Sequence, residues 1–230
     1  SGKQIIYVGH KNHDEAIGAL GVAPEHMHLV ESVDDIKNIN FQDNEVALLA
    51  QTTLAMSEWE PILDKVKEDF DNLDLPRKSD LCYATTNRQK ALINISSNVD
   101  VVLVVGSSTS SNTKALVTTI KNLGKEAYRI ETLNDLEDIK LENKDVAITA
   151  GASAPEHIVN EISNFLKPKD FEYYIDTDED EYFPLPKELR SNISYLSRLL
   201  TTMFPNNKIE AKNSISKDKS WSATEALASL

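Results

Sequence analysis

Val101-Val102-Leu103-Val104-Val105 runs straight into Gly106-Ser107-Ser108-Thr109-Ser110-Ser111-Asn112-Thr113. The five apolar residues stand between Asp100 and Gly106, too few to cross a membrane, which takes about 20. A short strand that is apolar on both faces belongs at the centre of a sheet covered on both sides. The polar run after it opens a segment over 112–123 with apolar residues three and four apart, the spacing of a helix. Strand, polar turn, helix is the unit from which parallel sheets with right-handed crossovers are built.

The same unit recurs outward in both directions. Runs rich in β-formers fall at 4–8, 27–30, 46–50, 81–85, 127–130 and 146–149. Helical spacing appears at 57–70, 87–99 and 155–166, for example Ile62, Val66 and Phe70. The pattern restarts near Asp80, after Leu75-Pro76-Arg77-Lys78. The expected fold class is α/β, with two small doubly wound parallel-sheet domains at 1–79 and 80–167. Each is small for an independent core, so they are expected to pack against a neighbour. A C-terminal segment, 168–230, follows. It holds a strand over 171–175, a solvated acidic loop over 176–181, a helix over 187–203 and a polar tail from about 205.

The chain has 24 Lys and Arg against 37 Asp and Glu, a net charge of −13. That balance opposes nucleic-acid backbones and anionic lipid surfaces, so neither is expected as a partner. It leaves room for a local anion site made of neutral donors. One cysteine, Cys82, rules out an internal disulfide framework and points to a reducing compartment. The start, Ser1-Gly2-Lys3, has no apolar leader and reads as a cut end.

Ligands of open parallel sheets bind beyond the carboxyl ends of the strands, where helix N-termini offer free N–H groups. Five such junctions are polar. After 4–8 come His13 and Glu15, two apart, in a position for His to hold phosphate and Glu to donate a proton. On the residues alone a solvated helix start with an ordinary acidic first turn is the simpler account. After 46–50 come Gln51, Thr52 and Thr53. The 81–85 run contains Cys82, either a small buried hydrophobe or a ligand. The seven hydroxyl and amide residues Ser107 to Thr113 suit an anion cradle, though plain N-capping needs only one of them. Ser153 precedes Pro155 at the last junction, where Pro also suits a simple helix start. His26 and His28 share a strand face, and His157 lies in a first helical turn.

At these junctions the sequence resembles a known family. Asp80-Leu81-Cys82-Tyr83-Ala84-Thr85-Thr86-Asn87-Arg88-Gln89 resembles the D-I-C-Y-A-T-x-N-R-Q signature of the 4-hydroxy-3-methylbut-2-enyl diphosphate reductases, the IspH/LytB family. In the same order come Gly9-His10-Lys11-Asn12-His13-Asp14-Glu15 for G-H-x-x-H-x-E and Ala50-Gln51-Thr52-Thr53-Leu54 for T-Q-T-T-L. The stretch from Val104 to Asn112 resembles V-V-G-S-x-x-S-S-N, and Thr149 to Pro155 reads T-A-G-A-S-A-P. The segment Phe183 to Arg190 resembles the family's C-terminal element.

The resemblance implies a three-domain trefoil-like oxidoreductase of the non-mevalonate isoprenoid pathway. It removes an allylic hydroxyl from a diphosphate substrate and forms isopentenyl and dimethylallyl diphosphates. The family uses a [4Fe–4S] cluster on three cysteines, with electrons from a donor such as ferredoxin or flavodoxin. By carry-over Cys82 is a cluster ligand, Glu15 the proton donor, and Thr52 sits near the substrate hydroxyl. His13, Ser110, Ser111, Asn112 and Ser153 contact the diphosphate and substrate. A bacterial cytoplasm or a plastid stroma is the implied location. The family's preceding region, with two further cluster cysteines, has no counterpart here. These residues are therefore expected to be two domains of three, with the first absent, and inactive alone. The alternative is a cluster-free diphosphate-binding module derived from the same family.

Overall fold

The computed structural model describes residues 3–39, 45–76, 80–203 and 221–228. The chain divides into two compact units, Ser1–Asp176 and Thr177–Leu230.

The first unit contains two parallel sheets. In the first sheet the strands are β1 (Gln4–Val8), β2 (Met27–Val30), β3 (Glu45–Ala50) and β4 (Asn72–Asp74), in the order β2-β1-β3-β4. In the second they are β5 (Val101–Val105), β6 (Glu126–Ile130) and β7 (Val146–Ala150), in the order β6-β5-β7. Every pairing is parallel, with Val8 opposite Val30 and Ala50, and Val105 opposite Ile130 and Ala150. The first strand of each sheet is thus central, and each sheet brings three strand ends together at one edge.

Helices cover both faces, because alternate residues of the central strands are apolar on both sides. Ile6, Val8, Val46 and Leu48 pack under α2 (Val33–Ile36) and α3 (Met56–Asp69), with Ile36, Trp59, Ile62 and Val66 completing that core. On the opposite face Tyr7 and Met27 meet Ala16 of α1 (Asp14–Val22). In the second sheet Val102 and Val104 face Leu92 of α4 (Tyr83–Ser96) and Leu116 and Ile120 of α5 (Ser111–Asn122). Val101, Leu103 and Val105 face Leu136 and Ile162, the latter in α6 (Glu156–Leu166). All five residues of β5 are at most 1% exposed, as its composition demanded.

The two sheets share a local device. Glu31-Ser32-Val33-Asp34-Asp35-Ile36 follows β2, and Glu131-Thr132-Leu133-Asn134-Asp135-Leu136 follows β6. In each, the Asp Oδ2 accepts the backbone N–H groups three and four residues back. The distances are 2.8 and 3.0 Å at Asp35, and 2.8 Å for both at Asp135. These carboxylates satisfy N–H groups at a helix or 3-10 start that would otherwise be orphaned. Both are held below the usual carboxylate range, chiefly by those backbone donors.

Three expectations need correction. The run 81–85 is not a strand, because α4 begins at Tyr83 and Cys82 is its N-cap. A short run of β-formers is ambiguous on its own. Here Thr86 turns its hydroxyl back on the Tyr83 carbonyl and the helix simply starts earlier. It also ends at Ser96, short of 99. The residues 171–175 form no strand either. Phe171 stacks edge-on against Tyr173 at 4.8 Å instead of pairing. Finally, α2 and β4 were not expected, and of α1 only a helix start at His13 and Glu15 was among the readings. The Arg77-Lys78 part of the basic segment and the tail from 205 to 220 lie outside the described residues.

The second unit contains α7 (Lys187–Met203), where helical spacing placed it, and α8 (Ala223–Ala228). Tyr182 and Trp221 lie 6.0 Å apart, and Thr224 N–H donates to Asp180 at 2.7 Å. No helix among the described residues is long and apolar enough to cross a membrane.

Candidate functional site

The carboxyl ends of β1 and β3 carry the first group of candidates. Asn12, at φ 71°, turns the chain after β1 through the left-handed region that Asn tolerates better than most residues. His13 then caps α1, and its Nδ1 accepts the Glu15 backbone N–H at 3.2 Å. That bond leaves the proton of a neutral imidazole on Nε2, available to an anion. Glu15 reaches the loop after β3 with both oxygens. Oε1 accepts the Thr52 backbone N–H at 2.9 Å, and Oε2 accepts the Thr52 hydroxyl at 3.0 Å. The Thr52 carbonyl in turn accepts the Cys82 backbone N–H at 2.9 Å. Glu15, Thr52 and Cys82 thus form one hydrogen-bonded line, each of them half-buried. Cys82 carries a free thiol.

Beside this line stands Gln51, fully buried. Its Oε1 accepts the His10 N–H at 3.0 Å and its amide donates to Thr53 at 3.0 Å. Gly9 is required here, because a Cβ would lie 2.8 Å from the Tyr7 ring and 3.1 Å from Gln51. Tyr7 is pushed up to about 12, first by burial, then by the negative charges of Glu15 and Asp80.

The carboxyl ends of β5 and β7 carry the second group. Ser110 caps α5, its Oγ accepting the Thr113 N–H at 3.3 Å. Ser111 is the first residue of the helix and is half-buried. A Cβ on Gly106 or on Gly151 would collide with Thr113 Oγ1, so both loops close onto one hydroxyl. Ser153 is exposed on the loop after β7. With Ser107 and Glu131 it lines a depression of about 220 Å³. Asn112 is 6% exposed, and neither its Oδ1 nor its Nδ2 has a partner among the described residues. A buried polar group without a partner costs about 1–3 kcal/mol, so an amide with both ends open is an expensive feature.

A third element spans the two groups. Gln89 of α4 is fully buried; its Nε2 donates to the Leu54 carbonyl at 3.0 Å and its Oε1 accepts the Met56 N–H at 2.8 Å. Thr119 of α5 lies 3.4 Å from the same Oε1. Sequence reasoning gave Gln89 no role, although it ends the decapeptide that begins at Asp80. A buried amide shared between segments leaves no periodicity to read. His26 and His28 are both bonded to Gln4 on the first sheet, and His157 is exposed in α6. Among the described residues no three His, Cys, Asp or Glu side chains are grouped to hold a metal ion.

Comparison with known proteins decides the family. The model of the LytB protein family matches residues 1–167. The chain belongs to the LytB family. It is 37% identical over 203 residues to the 4-hydroxy-3-methylbut-2-enyl diphosphate reductase of Yersinia pestis, covering 85% of this chain and 64% of that protein. Against the reductase of Rhodopirellula baltica it is 39% identical over 197 residues, covering 83% and 61%. The solved structure of the E-1-hydroxy-2-methyl-but-2-enyl-4-diphosphate reductase from Plasmodium falciparum superposes with a TM-score of 0.72 at 34% identity. That match covers 85% of this LytB chain and 64% of the Plasmodium one. The chain therefore spans less than two thirds of the length of these relatives.

One feature of the LytB chain does not fit the iron–sulfur cluster that its family resemblance implies. A four-iron cluster is held by several thiolates. These 230 residues contain one cysteine, so they cannot hold such a cluster alone.

Proposed function

We propose that this chain carries the proton-handling and diphosphate-binding parts of a 4-hydroxy-3-methylbut-2-enyl diphosphate reductase. The observation that carries the proposal is the line Glu15–Thr52–Cys82, in which a carboxylate, a hydroxyl and a thiol-bearing residue are joined by successive hydrogen bonds. The overall reaction replaces an allylic C–OH by C–H, taking up two electrons and two protons and releasing water. Glu15 supplies a proton through Thr52: the Thr52 hydroxyl turns from Oε2 to the departing substrate oxygen, Oε2 takes up a proton from solvent, and as the hydroxyl gives its proton to that oxygen Glu15 passes its own to Oγ1 along the Oε2···Oγ1 contact and is again a carboxylate. The fixed Thr52 N–H keeps the carboxylate in place meanwhile.

The diphosphate belongs on the second group. Ser110, Ser111 and Ser153 offer hydroxyls and the start of α5 offers backbone N–H groups, and from the first group His13 adds Nε2–H. Asn112 gains the partners it lacks when an anion and its bridging groups occupy this end of β5. Such remote binding energy holds the reacting carbon in place. It also explains how a chain of charge −13 binds a diphosphate, since the proposed donors are neutral.

Cys82 is one ligand of a [4Fe–4S] cluster, whose chemistry when bound is Lewis acidity and electron supply. The remaining thiolates come from outside these 230 residues, and the electrons come from a carrier such as ferredoxin or flavodoxin. The setting that goes with this reading is a bacterial cytoplasm or a plastid stroma. The test is anaerobic reconstitution of the 230-residue chain with iron and sulfide, followed by metal analysis and a turnover assay. The expected result is no stable four-iron cluster and no turnover. A stable cluster with turnover would overturn the division of ligands.

A further inference from the structure

The two sheets anchor their site loops in the same way, through a side chain that the proposed reaction does not use. Gly9 follows β1 and donates its N–H to the Val30 carbonyl at 3.1 Å; Gly106 follows β5 and donates to the Ile130 carbonyl at 2.9 Å. Two residues beyond each glycine the loop is gripped again. The Lys11 N–H donates to Glu31 Oε1 at 2.7 Å, and the Ser108 N–H donates to Glu131 Oε2 at 3.1 Å. Two residues further on stand the caps of α1 and α5, His13 and Ser110. Each closes the same tight turn, with the His13 N–H on the His10 carbonyl and the Ser110 N–H on the Ser107 carbonyl, both at 3.1 Å. From glycine to cap the two loops share no residue except that glycine, so the match lies in hydrogen bonding.

The segments that contain Glu31 and Glu131 are capped by other groups. Asp35 and Asp135 accept the N–H groups of Glu31, Ser32, Glu131 and Thr132. The two glutamate carboxylates instead cross from the edge strand to the loop after the central strand, 20 and 23 residues away in sequence. A carboxylate near a diphosphate repels it, and Glu131 lines the same depression as Ser153. Arg129 offsets that charge. Its Nη1 lies 2.8 Å from the same Oε2 and 3.4 Å from the Gly106 carbonyl, a second tie to the same loop.

We propose that Glu31 and Glu131 are positioning residues, one for each sheet, which fix the loops that present His13 and Ser110 by holding one backbone N–H in each. This rests on the reading of His13 and Ser110 as diphosphate contacts. A loop fixed in advance does not have to be ordered when the ligand binds, which strengthens binding. Holding those N–H groups also decides where the anion sits. Lys11 and Ser108 are closed to it, and the donors left are those at the caps and first turns of α1 and α5.

The test uses the 230-residue chain labelled with nitrogen-15. Glu131→Ala removes the acceptor, and Glu131→Gln keeps an oxygen in its place. In E131A the Ser108 amide is expected to exchange on the order of tenfold faster, the lower end of what a hydrogen bond to a charged group is worth. The amides of Lys11 and β5 should keep the parent's rates. E131Q should hold Ser108 within about threefold of the parent. Glu31→Ala should do the reverse, freeing Lys11 and leaving Ser108 as it was. Inorganic pyrophosphate, titrated by calorimetry, should bind E131A about tenfold more weakly than the parent and E131Q within about threefold of it. An unmoved Ser108 rate in E131A overturns the proposal, as does a Ser108 amide in E131Q as fast as in E131A. Faster exchange that extends through β5 also overturns it, because that is a loss of general stability. So does an E131A chain that binds pyrophosphate as tightly as the parent. A parent that takes up no pyrophosphate overturns the diphosphate reading instead, and the exchange rates alone then decide whether the glutamates hold the loops.

Discussion

Asn112→Leu should make the chain more stable and unable to bind diphosphate. Asn112 is 6% exposed and neither end of its amide has a partner among the described residues. Each buried unsatisfied polar group costs about 1–3 kcal/mol, and Leu, of similar shape, carries none. Leu is also the better helix former by a few tenths of a kcal/mol. Taking one of the two amide groups at the middle of its range, the substitution should stabilise by roughly 2 kcal/mol. For a chain of this size that is a rise in Tm of about 4–8 °C. The parent should gain from a ligand instead. Inorganic pyrophosphate at a hundred times its Kd adds about 2.7 kcal/mol to a protein that binds it and nothing to one that does not. Thermal unfolding followed by circular dichroism, with and without pyrophosphate, should therefore reverse the order of the two proteins. The variant melts higher in buffer and the parent melts higher with pyrophosphate. If Asn112→Leu melts lower in buffer, the amide is satisfied in solution and is not reserved for a ligand. If the order does not reverse, Asn112 does not hold the diphosphate.

Other substitutions test the framework around the site. Gln89→Leu leaves the Met56 N–H and the Leu54 carbonyl unpaired; a loss of about 2–6 kcal/mol is expected in urea denaturation, at about 1–3 kcal/mol for each buried orphan. Gly151→Ala drives a Cβ into Thr113 Oγ1 and should cost about 1–3 kcal/mol as overpacking. Adding Thr113→Ala should restore most of it, because the Thr113 Cβ stands a comfortable 3.6 Å away. Asp35 and Asp135 are held below the usual carboxylate range in the folded chain. The unfolded chain therefore takes up their protons first as pH falls, and their contribution is complete above about pH 5 and lost as pH drops through the folded values. The D35N/D135N chain should show a shallower loss of stability below pH 4 in acid titration.

The strands were legible where composition and environment agree. The run 101–105 is apolar on both faces and is buried on both, and 4–8 and 27–30 are bounded by polar or turn residues at the places where β1 and β2 end. The helix α1 was not, because Gly18 and Gly21 interrupt it and its apolar residues mark no single face. The run 81–85 misled because Leu, Cys, Tyr and Thr favour strands while the decisive contacts are distant. The Cys82 N–H goes to Thr52, thirty residues earlier in the chain, and no local pattern records that. The polar junctions were visible as junctions. Which of their groups are satisfied, as Ser110 is by Thr113, and which stand open, as Asn112 does, depends on packing. The Glu-Ser/Thr-x-x-Asp pair after β2 and β6 could have been found as a repeat, since the two copies keep the same spacing and differ only conservatively.

Gln89 has a consequence for how the chain comes apart. Its amide pairs with positions 33 and 35 residues back and lies beside one 30 residues on. The first two contacts cross from the second sheet's half of the sequence to the first sheet's half, and the third, to Thr119, stays within the second. Burying α4 before both sides are in place would strand a desolvated amide, so partial structures containing only one sheet are penalised. The halves should therefore melt in a single cooperative step despite separate hydrophobic cores. Hydrogen exchange should accordingly give the amides of β1 and β5 the same opening free energy.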